Sequence, residues 1–135
     1  MRVLVFLLLF VPARARAQEL IGLGRIGTGT YSAATAVSAD GRVVVGYSEN
    51  TVAARHAFRW TEAGGLEDLG DLPNGSDDSV ATGVSSDGSV IVGAGSAAGA
   101  KAFRWTAALG MQELVTSLEL SAAAGVSGDG TTTVG

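Results

Sequence analysis

Few side chains in this sequence could carry chemistry. The 135 residues include no cysteine and one histidine, which excludes thiol nucleophiles, disulfides, thiolate metal sites and sites that need two imidazoles. His56 could orient a serine or bind a metal. However, no second metal-type ligand lies near it in the sequence, and Lys101 stands at the equivalent place of a later repeat. We therefore expect His56 to be structural.

Three Asp-Gly pairs recur along the chain and favour turns over metal binding. None stands in the D-x-D-x-D-G series that gathers several oxygens around one calcium ion. Aspartate tolerates a positive φ and glycine accepts it freely, so each pair is typical of a two-residue type I′ turn. The residues expected in turns are Asp40, Gly41, Asp87, Gly88, Asp129 and Gly130.

Two further patterns are weak indications of a ligand site. Asp77 and Asp78 are adjacent acids that could form a weak cation site or a solvated turn, of which the turn is favoured. Gly22, Gly24 and Gly27 have the spacing G-x-G-x-x-G, but a dinucleotide site needs this pattern between a strand and a helix. The residues that follow indicate further strands instead. We therefore expect no cofactor and no metal.

Residues 1–17 have the layout of a secretory signal peptide. A short basic start is followed by nine apolar residues (3–11) and by an A-x-A-like cleavage site at 15–17. Nine helical residues reach about 14 Å, which is half of a ~30 Å hydrocarbon core. A membrane anchor is the less favoured alternative. The sequence thus predicts a secreted or cell-surface protein, with the periplasm as another destination, and no membrane span in the mature chain.

Removal of the leader makes the protein more acidic. It takes away three of the nine basic residues and none of the thirteen acidic ones, which leaves 118 residues with a net charge of −7. A surface of this sign repels phosphate backbones and anionic lipids. Nucleic-acid binding is therefore not expected.

The mature sequence repeats itself. Residues 34–46 (ATAVSADGRVVVG) return as 81–93 (ATGVSSDGSVIVG) and, less faithfully, as 123–135 (AAGVSGDGTTTVG). Between these copies, HAFRWTEAGGLEDLG is answered by KAFRWTAALGMQELV. We divide the chain into residues 18–33, which resemble the last strand of a repeat, followed by repeat 1 (34–80), repeat 2 (81–122) and a truncated repeat 3 (123–135).

Each repeat predicts four short antiparallel strands. In repeat 1 we expect them at residues 35–39, 42–47, 57–61 and 66–70, and a strand at 20–24 precedes them. Four antiparallel strands every ~45 residues are typical of the blades of a β-propeller. A ring needs about four to eight blades. The expected fold is therefore all-β, a partial β-propeller that is a fragment of a larger ring.

The hairpin between the third and fourth strands predicts cross-strand partners. With residues 62–65 as its loop, Arg59 faces Asp68, and in repeat 2 Arg104 faces Glu113. We expect two ion pairs worth a few tenths of a kcal/mol each. The tryptophans could stack on sugars, but one Phe/Trp pair per repeat at strand spacing favours a core. The expected core residues, with Phe58 facing Leu69 and Phe103 facing Leu114, are Phe58, Trp60, Leu69, Phe103, Trp105 and Leu114.

The run from ATAVSADGRVVVG to HAFRWTEAGGLEDLGDLPNG, with its second copy, resembles the HAF family of probable extracellular repeats. The three letters stand here as His56-Ala57-Phe58, and the resemblance covers nearly all of the mature chain. It implies a bacterial secreted or surface protein with tandem repeats, and it implies no activity or catalytic residue. The sequence departs from the pattern at Lys101 and at the threonine run 131–133.

These observations favour a non-catalytic secreted or cell-surface repeat domain that binds a partner or acts as a spacer. The loops differ between copies while the strands persist, as expected if loops carry recognition. The expected partners are an extracellular ligand or protein, and further blades or a second copy of the chain. A fragment of a propeller-based extracellular enzyme and a truncated remnant without function are the alternatives.

Overall fold

The computed structural model describes residues 20–50, 52–97, 99–114 and 121–135, and these residues form strands and loops without a helix. None of them belongs to a helix that could cross a membrane. The predicted signal peptide, residues 1–17, lies outside this part of the chain. The strands are β1 (Ser32–Val37), β2 (Val43–Glu49), β3 (Arg55–Thr61), β4 (Gly65–Asp68), β5 (Ser79–Val84), β6 (Ile91–Ser96), β7 (Ala100–Thr106), β8 (Gly110–Glu113), β9 (Gly125–Val126) and β10 (Thr133–Val134).

The strands form two four-stranded antiparallel sheets and one hairpin. The first sheet has the order β1-β2-β3-β4, the second has the order β5-β6-β7-β8, and β9 pairs with β10. Within each sheet, every strand bonds to its neighbour in sequence, because short loops bring successive antiparallel strands side by side. We call β1–β4 the first unit, β5–β8 the second unit and β9–β10 the third hairpin. The all-β class that the sequence predicts is confirmed.

Residues 20–31 contain no strand, in contrast to the strand predicted at 20–24. A strand is stable only beside a partner that satisfies its backbone groups. Within the described chain, the edge strands β1 and β4 bond only to β2 and β3, so residues 20–24 pair with no strand.

The turn between the first two strands differs from the predicted type I′ geometry. Gly41 donates its N–H to the carbonyl of Ser38 at 2.9 Å, and Gly41 has a φ of 72° whereas Asp40 keeps an ordinary negative φ. A four-residue loop of this kind ends with glycine in the left-handed region and needs no second positive φ. The Asp-Gly residues thus lie in turns as predicted, with only the glycine in a special conformation.

The C–D hairpins, which join β3 to β4 and β7 to β8, have a register one residue away from the predicted one. Arg59 lies opposite Glu67, with Phe58 opposite Asp68, and in the second unit Arg104 lies opposite Gln112. Arg59 and Asp68 therefore lie on opposite faces of the sheet, and both predicted ion pairs are wrong. The reason is the loop: Thr61 pairs with Gly65, so the loop has three residues instead of four.

The ion pair that replaces the predicted one is weak. The closest guanidinium nitrogen of Arg59 lies 3.5 Å from the Glu67 carboxylate, and the Arg59 Nε is buried without a hydrogen-bond partner. The predicted partners of the core phenylalanines change as well, since Phe103 lies opposite Glu113 in place of Leu114.

The predicted core residues are mostly buried. Phe58, Leu69, Phe103 and Trp105 are buried, whereas Trp60 and Leu114 are half-buried. One apolar cluster crosses from the first unit to the second, because β5 packs against β1, β2 and β3. Its members are Val43, Val45, Ala57, Leu69, Leu72, Ala81, Ile91, Phe103 and Trp105.

The contact between neighbouring units occurs twice with the same hydrogen bonds. The Thr35 hydroxyl donates to the carbonyl of Ala81 at 2.7 Å, and the Thr82 hydroxyl donates to that of Ala123 at 2.6 Å. Both threonines occupy an irregular position in their strand pair, where the register shifts by one residue. At this position the hydroxyl reaches the next unit while it stays within 3.2–3.3 Å of a carbonyl in its own sheet, that of Val45 or Val92.

The turns of successive units also bond to each other. The Ala39 N–H donates to the carbonyl of Ser86 at 3.2 Å, and the Ser86 N–H donates to that of Gly128 at 2.9 Å. The third hairpin therefore sits on the second unit in the way that the second unit sits on the first.

Candidate functional site

Six charged or polar side chains lie together near the junction of the two units, and we call them the seam cluster. Its residues come from the β2–β3 loop, the start of β3, the end of β4 and the loop that leads to β5. They are Asn50, Arg55, His56, Asp68, Asp77 and Asp78.

His56 lies between two carboxylates. Its Nδ1 is 2.9 Å from an oxygen of Asp68, and its Nε2 is 2.7 Å from an oxygen of Asp77. The amide of Asn50 donates to the other oxygen of Asp77 at 3.4 Å. Asp77 reaches this position with a φ of 64°, which aspartate adopts more readily than most residues. The side chain of His56 is mostly buried by these contacts.

Asp78 points to a different cation. Its two carboxylate oxygens accept from the Arg55 Nε at 3.0 Å and from a terminal nitrogen at 2.7 Å, which is the bidentate geometry of a strong pair. The same guanidinium lies 5.9 Å from the ring centre of Tyr47. Asp77 and Asp78 therefore face separate partners, and within the described chain no cluster of three His, Asp or Glu side chains could hold a metal ion.

The surroundings of His56 favour its charged form. Burial on its own would lower the pKa of His56, but the hydrogen bonds and negative charges of Asp68 and Asp77 outweigh it and raise the pKa above the ordinary value of 6.5. The hydrogen bond from His56 lowers the pKa of Asp77. A protonated imidazole that donates from both nitrogens has no lone pair left to accept a proton. The cluster is thus suited to holding the loop that leads to β5, because carboxylates of two different segments lie against the two ring nitrogens of His56.

This geometry predicts a stabilisation that depends on pH. Because the pKa of His56 is raised in the folded state, its ion pairs stabilise the fold fully below the ordinary pKa of 6.5. This stabilisation is lost as the pH rises through the folded-state pKa. Asp77 has a lowered pKa, so it stabilises the fold above its ordinary pKa of 3.8. This stabilisation is lost as the pH falls through the folded-state pKa. We expect the free energy of unfolding, measured with urea at a series of pH values, to exceed that of His56→Gln most between about pH 4 and 6.5.

His56→Lys is the matched control, since lysine occupies the equivalent position 101 and keeps its charge across this range. The free energy of unfolding of His56→Lys should not decline above pH 6.5. The sequence contains no other histidine, so a neutral-range transition that survives in His56→Gln would contradict the assignment.

A second contact holds the same inter-unit loop from the other side. Asp71 accepts from the Ser96 hydroxyl at 2.7 Å and from the backbone N–H groups of Ser96 and Asp78, each at 3.1 Å. Asp71 is not among the residues predicted from the sequence, and no repeat signal could have shown it, because the equivalent residue is Arg25.

The recurring aspartates close their turns with hydrogen bonds. In the second unit the Ser85 hydroxyl donates to Asp87 at 2.7 Å and accepts from the Val90 N–H at 3.0 Å. The hydrogen bond from Ser85, with those from Ser89, lowers the pKa of Asp87 to about 2. The other two turns have the same Ser-to-Asp bond. The signal for this bond is present in the sequence as three copies of Ser-x-Asp-Gly, whereas the turn prediction rests on the Asp-Gly pair alone.

A groove forms beside the Asp-Gly turn of the first unit and beside that of the second unit. Beside the second unit it is lined by Glu67 of the preceding unit, by the turn at Gly88, and by Trp105. Beside the first unit, the equivalent lining consists of Ile21, Gly41 and Trp60. The groove is thus a feature of the repeat, formed wherever one unit meets the segment before it.

The chain matches no family model, no curated protein and no solved structure. The resemblance to the HAF repeats therefore stays a prediction from the sequence.

Proposed function

We propose that this chain is a non-catalytic repeat domain, secreted or displayed on the cell surface, whose units are blades of a β-propeller. Its loops at the ends of the sheets would bind an extracellular ligand or protein, or the domain would act as a spacer. The proposal includes the predicted export signal and the resemblance to extracellular repeats, and it treats further blades as partners of the units described.

The observation that carries the proposal is the identical contact between successive units. Thr35 and Thr82 bond to the same place on the following unit, and the turns at Ala39 and Ser86 bond in the same way. Each sheet is a four-stranded meander, and the second sheet packs its first strand, β5, against the first sheet. Stacking of four-stranded antiparallel sheets in this order is the arrangement of propeller blades.

The loops differ between units while this scaffold is retained. The β2–β3 loop runs from residue 50 to 54, whereas the β6–β7 loop runs from 97 to 99. Val52 in the first of these loops and Leu109 at the tip of the β7–β8 hairpin are exposed large apolar residues. They lie at opposite ends of the sheets. Recognition residues are most often found on loops that a rigid scaffold positions.

Two matched variants test binding and identify the end that binds. We would express the full chain in a bacterial host and confirm by mass spectrometry that the exported product begins at Gln18. Fluorescently labelled protein is then incubated with intact bacterial cells and with purified peptidoglycan. Val52→Asp and Leu109→Asp add the same charge at opposite ends of the sheets. We expect one of them to reduce the bound fraction about tenfold or more and the other to leave it unchanged.

The outcomes separate the parts of the proposal. Equal binding by both variants and the wild type would contradict recognition through these loop tips, and absence of binding to either probe would leave the spacer role in its place. Retention of the uncleaved protein in the cytoplasm would overturn the extracellular location.

A further inference from the structure

The contact between units has a covering half and a receiving half. The covering half is a pair of valines at the start of the second strand of a unit or directly before it. In the first unit these are Val43 and Val45, and in the second unit they are Val90 and Val92; all four are at most 5% exposed. Each pair shares an apolar cluster with a residue of the next unit, Val45 with Ala81 for example.

The receiving half is an alanine on the first strand and the glycine of the turn. In the second unit Ala81 is buried, and Gly88 lies against the side chain of Val43, so closely that an added Cβ would collide with it. In the third hairpin Gly130 lies against Val90 in the same way. Small residues at these positions let the valines of the preceding unit approach.

The first unit presents a receiving half that the described chain leaves uncovered. Ala34 and Gly41, the equivalents of Ala81 and Gly88, are exposed, and no described atom lies within 4 Å of the Cβ position of Gly41. Trp60 is half-buried, although its equivalent Trp105 is buried. The groove beside this face has a volume of about 1040 Å³, against about 570 Å³ for its equivalent in the second unit.

The third hairpin presents the matching covering half. Val134, the equivalent of Val45 and Val92, is 61% exposed, and Thr132, the equivalent of Val43 and Val90, is exposed as well. One chain thus carries both halves of a contact that its interior uses twice. Because the halves are different surfaces, their association is head-to-tail, and such contacts generate rings or open filaments.

We propose that copies of this chain associate head to tail, with the third hairpin of one copy packed on the β1 face of another. Val134 would cover Ala34 of the partner copy as Val45 covers Ala81, and Thr132 would lie against its Gly41. The inference goes beyond the proposed function, since it depends only on the repeated contact and not on export or on a ligand.

The third hairpin lacks two features of the interior contacts, which limits the strength of the association. Ala124 stands where Thr35 and Thr82 donate their hydrogen bonds, and Thr132 stands where the other units have valine. The double variant Ala124→Thr/Thr132→Val restores both features. We expect it to lower the dissociation constant about tenfold, since each 1.4 kcal/mol is a factor of ten and one hydrogen bond with one buried valine supplies about that much.

Sedimentation velocity of the full chain over a range of concentrations tests the proposal. We expect the wild type to associate as its concentration rises, and the double variant to do so at about tenfold lower concentration. Ala34→Asp removes the receiving half and Val134→Asp removes the covering half, so each alone should sediment as a monomer. Mixed together, they still offer one intact half each and should form a 1:1 dimer that grows no further. Leu109→Asp adds the same charge outside the contact and should behave as the wild type.

Three results would overturn the inference. The first is a wild type and a double variant that remain monomeric at every concentration. The second is association of Ala34→Asp or Val134→Asp as strong as that of Leu109→Asp. The third is an Ala34→Cys variant that resists a thiol reagent as a monomer, because the chain's own residues would then cover this face. Failure to bind cells or peptidoglycan would bear on the proposed function alone, because sedimentation does not depend on that ligand.

Discussion

Phe103→Ala is expected to lower the free energy of unfolding by about 3–5 kcal/mol, the usual cost of removing a fully buried phenylalanine. The side chain of Phe103 is inaccessible to solvent and belongs to the apolar cluster that joins the two units. The aromatic Cε1 atom lies 2.9 Å from the place where a Cβ on Gly93 would stand. The cavity would therefore open at the centre of the second unit, where β6 and β7 cannot collapse without breaking their pairing.

Urea unfolding followed by circular dichroism measures this effect. Leu109→Ala, an exposed change on the hairpin loop that follows the same strand, should alter the stability by less than about 0.5 kcal/mol. Trp105→Ala should cost more than Trp60→Ala, since only Trp105 is covered by a neighbouring unit. Equal losses at the two tryptophans, or a loss under about 1 kcal/mol at Phe103, would contradict the described packing of the second unit on the first.

Gly93→Ala is expected to cost about 3 kcal/mol, at the upper end of the usual cost of overpacking. A Cβ on Gly93 would collide with the carbonyl oxygen of Val80 and would stand 2.9 Å from the Cα of Ala81. These are backbone atoms of the paired strand β5, which cannot move aside as a flexible side chain can. The substitution must therefore separate β5 from β6 at the irregular position that carries Thr82.

Gly22→Ala is the matched control, because no described atom lies within 4 Å of its Cβ position and its φ is not in the left-handed region. It should change the urea midpoint little, since surface substitutions usually stay within about 0.5 kcal/mol. Gly46→Ala, the equivalent change in the first unit, should resemble Gly93→Ala. A Gly93→Ala protein as stable as Gly22→Ala would show that the strands are further apart than described.

The sequence predicted the strands well, because the repeats supply two copies of each pattern. Eight of the strands fall near the predicted places, and in β2 Val43 and Val45 are buried whereas Val44 is half-buried. The predicted register of the β3–β4 and β7–β8 hairpins was wrong, because a loop of three or four residues satisfies the apolar pattern almost equally. Both hairpins share a glycine at this point: Gly65 and Gly110 are equivalent, both have a φ of 68°, and each pairs with the threonine before the loop.

The seam cluster could not be predicted in the same way. His56 and Asp77 are 21 residues apart, and Asp77 belongs to a loop that has no equivalent with the same residues in the other repeat. Its position depends on the loop conformation, including the positive φ of Asp77, which no pattern of polar and apolar residues determines. The sequence thus favoured a structural role for His56 but did not show its partners.

Hydrogen exchange at two turn amides tests most directly the claim that the units are joined by one repeated contact. Ala39 and Ser86 lie in exposed turns, and their N–H groups donate only to the turn of the following unit, at 3.2 and 2.9 Å. Measured by NMR on the full chain, both amides should exchange as slowly as those of the paired strands, and Gly93→Ala should accelerate both. Exchange at the rate of an unstructured peptide at Ala39 and Ser86, with β2 and β6 still protected, would show that the sheets fold without this contact and would contradict the account.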